Sequence, residues 1–190
     1  MKSALTLCLM VASAAFGQEF RLGSKIPDIV VQGSSGGRTS FATGQGAVTV
    51  VTFVAVQCPV SNAYNDRMSA IYNDYKSKGV TFVFVNANRT ESAKDIAEHA
   101  KSVGFPFPVY RDEANVLADR FDAQVTPESY LIDKKGVLVY HGQVDDSRNE
   151  ARVGQKTLRM ALDAVLAGQP IIKAETKAFG CTIKRARKVT

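Results

Sequence analysis

The most constraining feature of the sequence is an apolar run at residues 47–56 that leads directly into a Cys-Pro-Val-Ser sequence at 58–61. A run this uniformly apolar cannot leave one face in water, so it predicts a central strand covered on both faces. Pro59 suits the first position of a helix, where no N–H is needed, and an amphipathic helical pattern follows at 62–78. The sequence therefore predicts a buried strand that delivers Cys58 to the start of a helix.

Cys58 stands at a position that favours a reactive thiolate. The first turn of a helix has free N–H groups and carries about half a positive charge, which stabilises an anionic sulfur. The alternative is an inert buried thiol, because free cysteine also packs as a small apolar side chain. Ser61 likewise has two interpretations: its hydroxyl donates a hydrogen bond to the thiolate, or it is an ordinary polar residue of the first turn.

Residues 1–17 have the pattern of a secretory signal peptide. Lys2 precedes an apolar run at 4–11, and small residues follow as far as Gly17. The run is shorter than the roughly 20 apolar residues of a transmembrane helix, and Cys8 follows Leu7 rather than a small residue, which disfavours a lipid anchor. We therefore predict no transmembrane segment and an exported protein, periplasmic or secreted.

The remainder is predicted to form one domain at 18–172 and a basic tail at 173–190. The whole chain has 24 Lys and Arg against 18 Asp and Glu, and much of the excess lies in this tail. Its composition fits a solvated, frayed tail or a docking patch for an acidic partner or an anionic lipid. The sequence has no recognition motif or aromatic platform for nucleic acid, which is therefore not an expected partner.

Two cysteines, Cys58 and Cys181, remain once the signal peptide is removed. An even number of cysteines in an oxidising compartment permits one disulfide. Spacing alone does not show whether the two side chains come within reach of each other. Four roles stay open for Cys181: a resolving cysteine for Cys58, its structural disulfide partner, an intermolecular link or a free tail thiol.

Hydrophobic periodicity predicts alternating strands and helices around the Cys58 region. Further strands are predicted at 80–86, 129–133 and 136–141, and an N-terminal hairpin with strands at 27–31 and 39–41 caps one edge of the sheet. Further helices are predicted at 91–103, 112–121 and 153–166. This order predicts an α/β fold with a central mixed sheet flanked by helices on both faces.

Thr126-Pro127 precedes the terminal hairpin and completes a resemblance to a known family. The order of elements resembles the redoxin, or peroxiredoxin-like, group of the thioredoxin superfamily, which includes membrane-side thiol–disulfide reductases. The resemblance is carried by residues 53–61, 80–86, 126–133 and 135–136. The late Gly-Cys at 180–181 is similar to that of exported bacterial peroxiredoxin-like proteins. The resemblance implies a thioredoxin-like fold in which Pro127 is cis and lies against Cys58, and in which Thr126 offers backbone hydrogen bonds to an extended partner.

The sequence departs from related family patterns in three respects. Peroxiredoxins carry a proline and a Thr or Ser upstream of the cysteine, where this chain has Val51 and Ala55, so efficient peroxide reduction is not expected. Thioredoxins carry a second cysteine where this chain has Ser61, so there is no local dithiol. Copper chaperones use two nearby cysteines and a histidine, whereas His99 and His141 lack the spacing of metal ligands and are expected to be structural or exposed.

Two other places are weaker candidates for a role. Arg89 lies in the run at 86–90, which opens a helix near the cysteine, and is a candidate for electrostatic support of the thiolate. Asp145 and Asp146 are adjacent carboxylates, and such pairs are more often solvated or cap a helix than bind a metal. We expect neither a metal nor a cofactor.

The leading hypothesis is an extracytoplasmic thiol–disulfide oxidoreductase of redoxin type. Cys58 is its nucleophile and Cys181, on a mobile tail, its possible resolving cysteine, with Pro59, Ser61, Thr126 and Pro127 as active-site support. The expected partners are a protein thiol or disulfide, or a small hydroperoxide, together with a separate reductase. The alternatives are a peroxiredoxin-like hydroperoxide reductase and a non-catalytic thioredoxin-fold binding module.

Overall fold

A computed structural model describes residues 19–33 and 36–186. The predicted signal peptide and the last four residues of the predicted tail lie outside the described residues. The strands are β1 (Ile29–Gln32), β2 (Arg38–Phe41), β3 (Val48–Val54), β4 (Val80–Asn86), β5 (Val109–Arg111), β6 (Val125–Thr126), β7 (Glu128–Ile132), β8 (Leu138–Gly142) and β9 (Cys181–Thr182). The helices are α1 (Pro59–Asn62), α2 (Asn65–Tyr75), α3 (Ala93–Ser102), α4 (Val116–Arg120) and α5 (Thr157–Leu166), with 3-10 turns at Lys76–Lys78 and Glu150–Arg152.

Seven of these strands form one mixed sheet in the order β2-β1-β5-β4-β3-β7-β8. Strands β3, β4 and β5 run parallel to one another, whereas β7 lies antiparallel to β3 and β1 antiparallel to β5. The predicted mixed sheet is confirmed, and so is the N-terminal hairpin, since β1 and β2 pair at one edge. Strand β5 was not predicted, because three residues are too few to show a periodic pattern.

Strand β3 is the centre of the sheet, and all seven of its residues are buried. Alternate side chains point to opposite faces of a strand. Val48, Val50 and Val54 accordingly join a core with α2, α3 and α5, while Val51 and Phe53 join a second core with α4. Helices therefore cover both faces of the sheet, as predicted. Strand β3 is largely apolar because each of its faces packs into one of these two cores.

The helices are shorter than the sequence pattern suggested. The helix predicted at 62–78 is divided into α1, α2 and a 3-10 turn, with a break at residues 63–64. Helix α3 begins after Ser92, whose hydroxyl accepts from the N–H of Asp95 in a capping box. Helix α4 begins only after Asn115, which has a left-handed backbone with φ 58°. No helix in the described part of the chain has the length and apolar composition to cross a membrane.

The segment at residues 173–186, here called the C-terminal segment, packs along the domain. Next to β8, the N–H of His141 donates to the carbonyl of Ala174 at 2.9 Å, and the N–H of Thr176 donates to the carbonyl of His141 at 3.0 Å. Gly142 permits this approach, because a Cβ there would overlap Thr176. The expectation of a frayed tail is therefore wrong for these residues, whose contacts are too distant in sequence for a local pattern to reveal.

The loop after β8 is held by a buried ion pair. The Arg67 guanidinium contacts both carboxylate oxygens of Asp145 at 2.7 and 2.8 Å, and donates to the carbonyls of Ser147 and Arg148 at 2.8 Å. Both side chains are buried. The expectation that Asp145 is solvated or caps a helix is wrong, because the arginine that neutralises it comes from α2.

Glu128 is a buried carboxylate that anchors β6. It accepts from the N–H groups of Gln124 and Val125 at 2.7 and 3.1 Å, and its other oxygen lies 2.6 Å from Nε2 of His141. The His141 ring also stacks on Tyr130, with 4.6 Å between ring centroids, which is the structural role expected of a lone histidine. Burial opposes ionisation of Glu128, but these hydrogen bonds outweigh it and lower the pKa of the carboxyl group.

Replacing Leu162 with Ala tests the packing of α5 on the sheet. Leu162 is fully buried, so we expect Leu162→Ala to lower the free energy of unfolding by about 2–5 kcal/mol. The measurement is urea denaturation with the disulfide intact. Met160→Ala is the control, because Met160 lies on the same helix with 55% of its surface exposed, and it should change stability by less than about 1 kcal/mol. Equal effects of the two substitutions would contradict the packing described.

Replacing Glu128 with Gln tests the anchor of β6 through its pH dependence. A lowered pKa in the folded state adds stability above the unfolded pKa of about 4.3, and this contribution is lost as pH falls through the folded pKa. We therefore expect Glu128→Gln to lower the free energy of unfolding by about 1–3 kcal/mol at pH 7, and by less below about pH 4. Glu98→Gln, on the exposed face of α3, is the control in the same denaturation series. A difference between Glu128→Gln and wild type that does not vary with pH would contradict this role.

Candidate functional site

Cys58 caps the N-terminus of α1 at the end of the loop that leaves β3. Its Sγ accepts a hydrogen bond from the N–H of Ser61 at 3.2 Å, and Pro59 occupies the first turn of the helix. An N–H aimed at the sulfur favours the thiolate over the thiol once Cys58 is reduced. The structure thus places the cysteine at a helix start, as predicted, and provides one direct source of stabilisation for an anion.

The Ser61 hydroxyl has a partner other than the Cys58 sulfur. Its Oγ accepts from the N–H of Ala55 at 3.1 Å, and the side chain is buried. The residue therefore contacts Cys58 through its backbone and braces the end of β3 through its side chain. Neither of the two roles that the sequence suggested for Ser61 included this hydrogen bond to Ala55.

Thr126 lies directly against Cys58, and Pro127 follows it in the chain. The Thr126–Pro127 bond is cis, as the resemblance implied, and the carbonyl oxygen of Thr126 is 3.4 Å from Cys58 Sγ. The register explains this contact: Phe53 in β3 lies opposite Glu128 in β7, so the residues just before Glu128 extend past the end of β3 towards Cys58. Both residues are buried.

Cys181 reaches Cys58 through a short β-ladder. Strand β9 pairs antiparallel with β6, with Cys181 opposite Thr126 and Thr182 opposite Val125. Cys58 and Cys181 form a disulfide with their Cα atoms 5.8 Å apart. Cys58 is only 3% exposed, whereas its neighbours Gln57 and Pro59 are exposed. The disulfide therefore lies near the surface of the domain, where it joins the C-terminal segment to the start of α1.

A buried carboxylate, Glu91, holds the loop that presents Cys58. Its two oxygens accept from the N–H groups of Val56 and Gln57, each at 2.9 Å, and from the side-chain amide of Asn86 at 2.5 Å. The sequence interpretation did not assign Glu91 a role. The available signal was its place soon after β4, because the carboxyl ends of parallel strands β3 and β4 meet at one edge of the sheet.

Two buried asparagines hold the chain that follows Cys181. The Asn88 side-chain oxygen accepts from the N–H of Lys184 at 2.8 Å, and that of Asn115 accepts from the N–H of Ala186 at 2.6 Å. The N–H of Ile183 donates to the carbonyl of Gln124 at 2.9 Å. Neither asparagine was named as a site residue from the sequence, since each contact spans a large separation along the chain.

The weaker candidates have other surroundings. The Arg89 side chain is exposed, and its backbone N–H donates to the carbonyl of Lys184 at 2.8 Å, so its contact is with the C-terminal segment rather than with Cys58. His99 is half-buried on α3 beside Phe105, and burial lowers its pKa. Asp146 accepts from the N–H of Gly154 at 2.9 Å. Within the described residues, no group of His, Cys, Asp and Glu side chains is arranged to hold a metal ion.

Comparisons with known proteins agree with this geometry. The thiol-disulfide oxidoreductase ResA of Bacillus subtilis is 28% identical over 117 residues, which is 62% of this chain and 64% of ResA. The match thus spans a little under two thirds of the length of that relative. An uncharacterized conserved protein from Geobacillus kaustophilus superposes with a TM-score of 0.81 at 31% identity, covering 90% of this chain and 95% of its own.

A more distant structure identifies the fold, and a family profile identifies the family. A putative thiol:disulfide interchange protein DsbE from Chlorobium tepidum superposes with a TM-score of 0.61 at 21% identity, covering 79% of this chain and 98% of its own. At that identity the likeness shows the fold alone, which is thioredoxin-like. The profile of the AhpC/TSA family matches residues 22–141. The chain therefore belongs to the AhpC/TSA family of the thioredoxin superfamily.

Proposed function

We propose that this protein is an extracytoplasmic thiol–disulfide oxidoreductase in which Cys58 and Cys181 are the redox-active pair. The observation that carries the proposal is the disulfide between a helix-capping cysteine and a cysteine on β9, a short strand that pairs with β6 outside the seven-stranded sheet. Thiol–disulfide oxidoreductases named ResA are among the relatives. This chemistry needs a protein thiol or disulfide as partner, and it needs no cofactor.

The reaction is two successive thiol–disulfide exchanges. In the reduced protein, the Cys58 thiolate attacks one sulfur of a partner disulfide, forms a mixed disulfide and releases the other partner sulfur as a thiolate. The Cys181 thiolate then attacks Cys58 Sγ, which forms the intramolecular disulfide and releases the second partner thiolate. Two electrons pass from the protein to its partner, and a separate dithiol reductase returns the protein to the reduced state.

The surrounding residues position the reacting sulfur. The N–H of Ser61 stabilises the Cys58 thiolate, and Pro59 begins the helix without needing an N–H partner. Pro127 follows Thr126 through a cis bond and shapes the groove for a partner beside Cys58. Thr126 presents its backbone to the strand that carries the second sulfur, so that an attacking sulfur approaches along a fixed direction.

The proposed location outside the cytoplasm rests on the sequence of residues 1–17 and on the disulfide. Disulfides persist in oxidising compartments and are rare in the cytosol. The mass of the protein recovered from its cellular compartment tests the proposal: loss of about the first seventeen residues is expected on export. Recovery of the intact chain from the cytoplasm would contradict it.

Hydroperoxide reduction is the alternative activity within this family. It would begin with attack of the same thiolate on a peroxide oxygen to give a sulfenic acid. Val51 points into the second core and Ala55 has no hydroxyl, so neither position supplies the group that peroxiredoxins use to orient peroxide. The geometry therefore supports exchange with disulfides better than reduction of peroxides.

Replacing Cys181 with Ser tests its assignment as the resolving residue. We expect reduced Cys181→Ser to react with a protein disulfide such as insulin and to accumulate a mixed disulfide at Cys58, identified by mass spectrometry of its peptides. Because an intramolecular thiol has an effective concentration in the millimolar range, the mixed disulfide should persist at least about tenfold longer than in wild type. Cys58→Ser is the matched control and should form no such adduct. Equal lifetimes in wild type and Cys181→Ser would rule out resolution by Cys181.

The reduction potential distinguishes a redox-active disulfide from a structural one. Structural disulfides of secreted proteins lie below about −300 mV, whereas oxidoreductase disulfides lie between about −270 and −120 mV. We expect the Cys58–Cys181 pair to fall in the second range. The measurement is equilibration with dithiol buffers, followed by alkylation of free thiols and mass spectrometry. A potential below about −300 mV would contradict the proposed function.

A further inference from the structure

The part of the C-terminal segment at residues 179–186 lies in an extended groove beside Cys58, here called the Cys58 groove. Its wall is formed by β6 and by the buried side chains of Asn88 and Asn115. Cys58 is 3% exposed, its Sγ is bonded to Cys181, and β9 occupies the edge of β6, so a partner strand can pair with β6 and bond to Cys58 only after residues 179–186 have moved. The same segment therefore fills the groove and blocks access to the Cys58 sulfur, and its departure exposes both.

Three hydrogen bonds in the Cys58 groove are donated by the backbone of its occupant. The N–H of Ile183 donates to Gln124, the N–H of Lys184 donates to Asn88, and the N–H of Ala186 donates to Asn115. Backbone hydrogen bonds do not depend on the side chains of the bound strand, so another extended polypeptide can form them. The groove can therefore bind extended polypeptides of different sequence, and only a few side-chain positions of the bound strand are restricted.

The first selective position is the residue before the occupant's cysteine. Gly180 lies so close to β6 that a Cβ at this residue would overlap the backbone carbonyl of Thr126. The neighbouring group is backbone of a two-stranded ladder, not the flexible end of a side chain, so it cannot turn away. Any residue larger than glycine at this position must push the strand away from Thr126 and from Cys58.

Two further positions are selected by their surroundings. Ile183, two residues after the cysteine, is 4% exposed and joins the core that contains Phe53 and Phe121. Arg185, four residues after it, donates to the carbonyl of Ala123 at 2.6 Å and contacts Asp119 at 3.3 Å. Thr182, by contrast, is exposed. The occupant therefore has the pattern Gly-Cys-x-apolar-x-basic.

The resemblance implies that an extended partner pairs with Thr126 beside Cys58; we propose that the Cys58 groove further selects partners with glycine immediately before the reacting cysteine. The C-terminal segment is then the tethered occupant of this site, and its sequence reports the preferred partner: an extended chain with an apolar residue two positions after the cysteine and a basic residue four positions after it. This inference rests on the proposed function, because it requires Cys58 to exchange with a partner sulfur.

The chemical step is the first exchange of the proposed reaction. The partner strand pairs with β6, the Cys58 thiolate attacks the sulfur of the partner cysteine, and the other sulfur of that partner disulfide leaves as a thiolate. A Cys58–partner disulfide forms and one partner disulfide breaks, so electrons and atoms balance. The product has the partner cysteine where Cys181 stands in the present structure.

The test uses synthetic peptides that copy residues 177–186, each carrying a coloured aromatic thiol on its cysteine as a mixed disulfide. The reduced Cys181→Ala variant of the full chain attacks the peptide sulfur, and release of the coloured thiol gives the rate. We expect the peptide in which Ala replaces glycine to react about tenfold more slowly or worse, because its Cβ meets the Thr126 carbonyl. Val at this position should react more slowly still.

Two controls separate recognition from chemistry. Replacing the peptide residue that corresponds to Thr182 with Val should leave the rate unchanged, because that position is exposed. All peptides should react equally fast with free glutathione, which has no groove. Since only the peptide varies, every comparison uses the same folded protein and the same competition from its own C-terminal segment.

The outcomes separate this inference from the proposed function. Selection by the groove is supported if the peptides with Ala or Val in place of glycine react slowly. The unchanged peptide and the peptide with Val at the position of Thr182 must then both react fast. Equal rates for all peptides overturn the inference and leave the proposed function standing. Failure of Cys58 to react with any peptide or with insulin overturns the proposed function, and the inference with it.

Discussion

The burial of β3 on both faces is the constraint on which the candidate site depends. A strand with no polar face must lie inside the sheet, so its carboxyl end points to a fixed edge of the domain. There the parallel partner β4 supplies Glu91 shortly beyond its end, and the antiparallel partner β7 begins just after Pro127. Segments from both neighbours of β3 therefore reach the Cys58 loop, because of the register of the strand that precedes it.

Two buried carboxylates then fix the chain on either side of the disulfide. Glu91 accepts from the backbone before Cys58, and Glu128 accepts from the backbone before Pro127. Buried N–H groups without partners are costly, and a carboxylate can satisfy two of them at once. The loops on either side of the disulfide are consequently held by carboxylates rather than by the two sulfurs.

The sequence predicted those parts of the structure that are encoded locally. The buried strand β4 was predicted with the bounds observed, and the Cys-Pro helix start and the cis bond before Pro127 followed from motif and order. Docking of the C-terminal segment was missed, because it depends on contacts such as Asn88 with Lys184. Gly180 shows the same limit: its close approach to Thr126 exists only when two distant strands are paired.

A groove shared by the partner and the C-terminal segment imposes an order on the two exchanges. The two strands cannot pair with Thr126 at once, so a bound partner keeps Cys181 away from Cys58 and protects the mixed disulfide from early resolution. Resolution then begins when the partner strand leaves β6 and the segment returns, driven by its hydrogen bonds to Asn88 and Asn115 as well as by its tether. The backbone contacts that hold Cys181 in the oxidised protein are, on this account, the ones that complete the reaction.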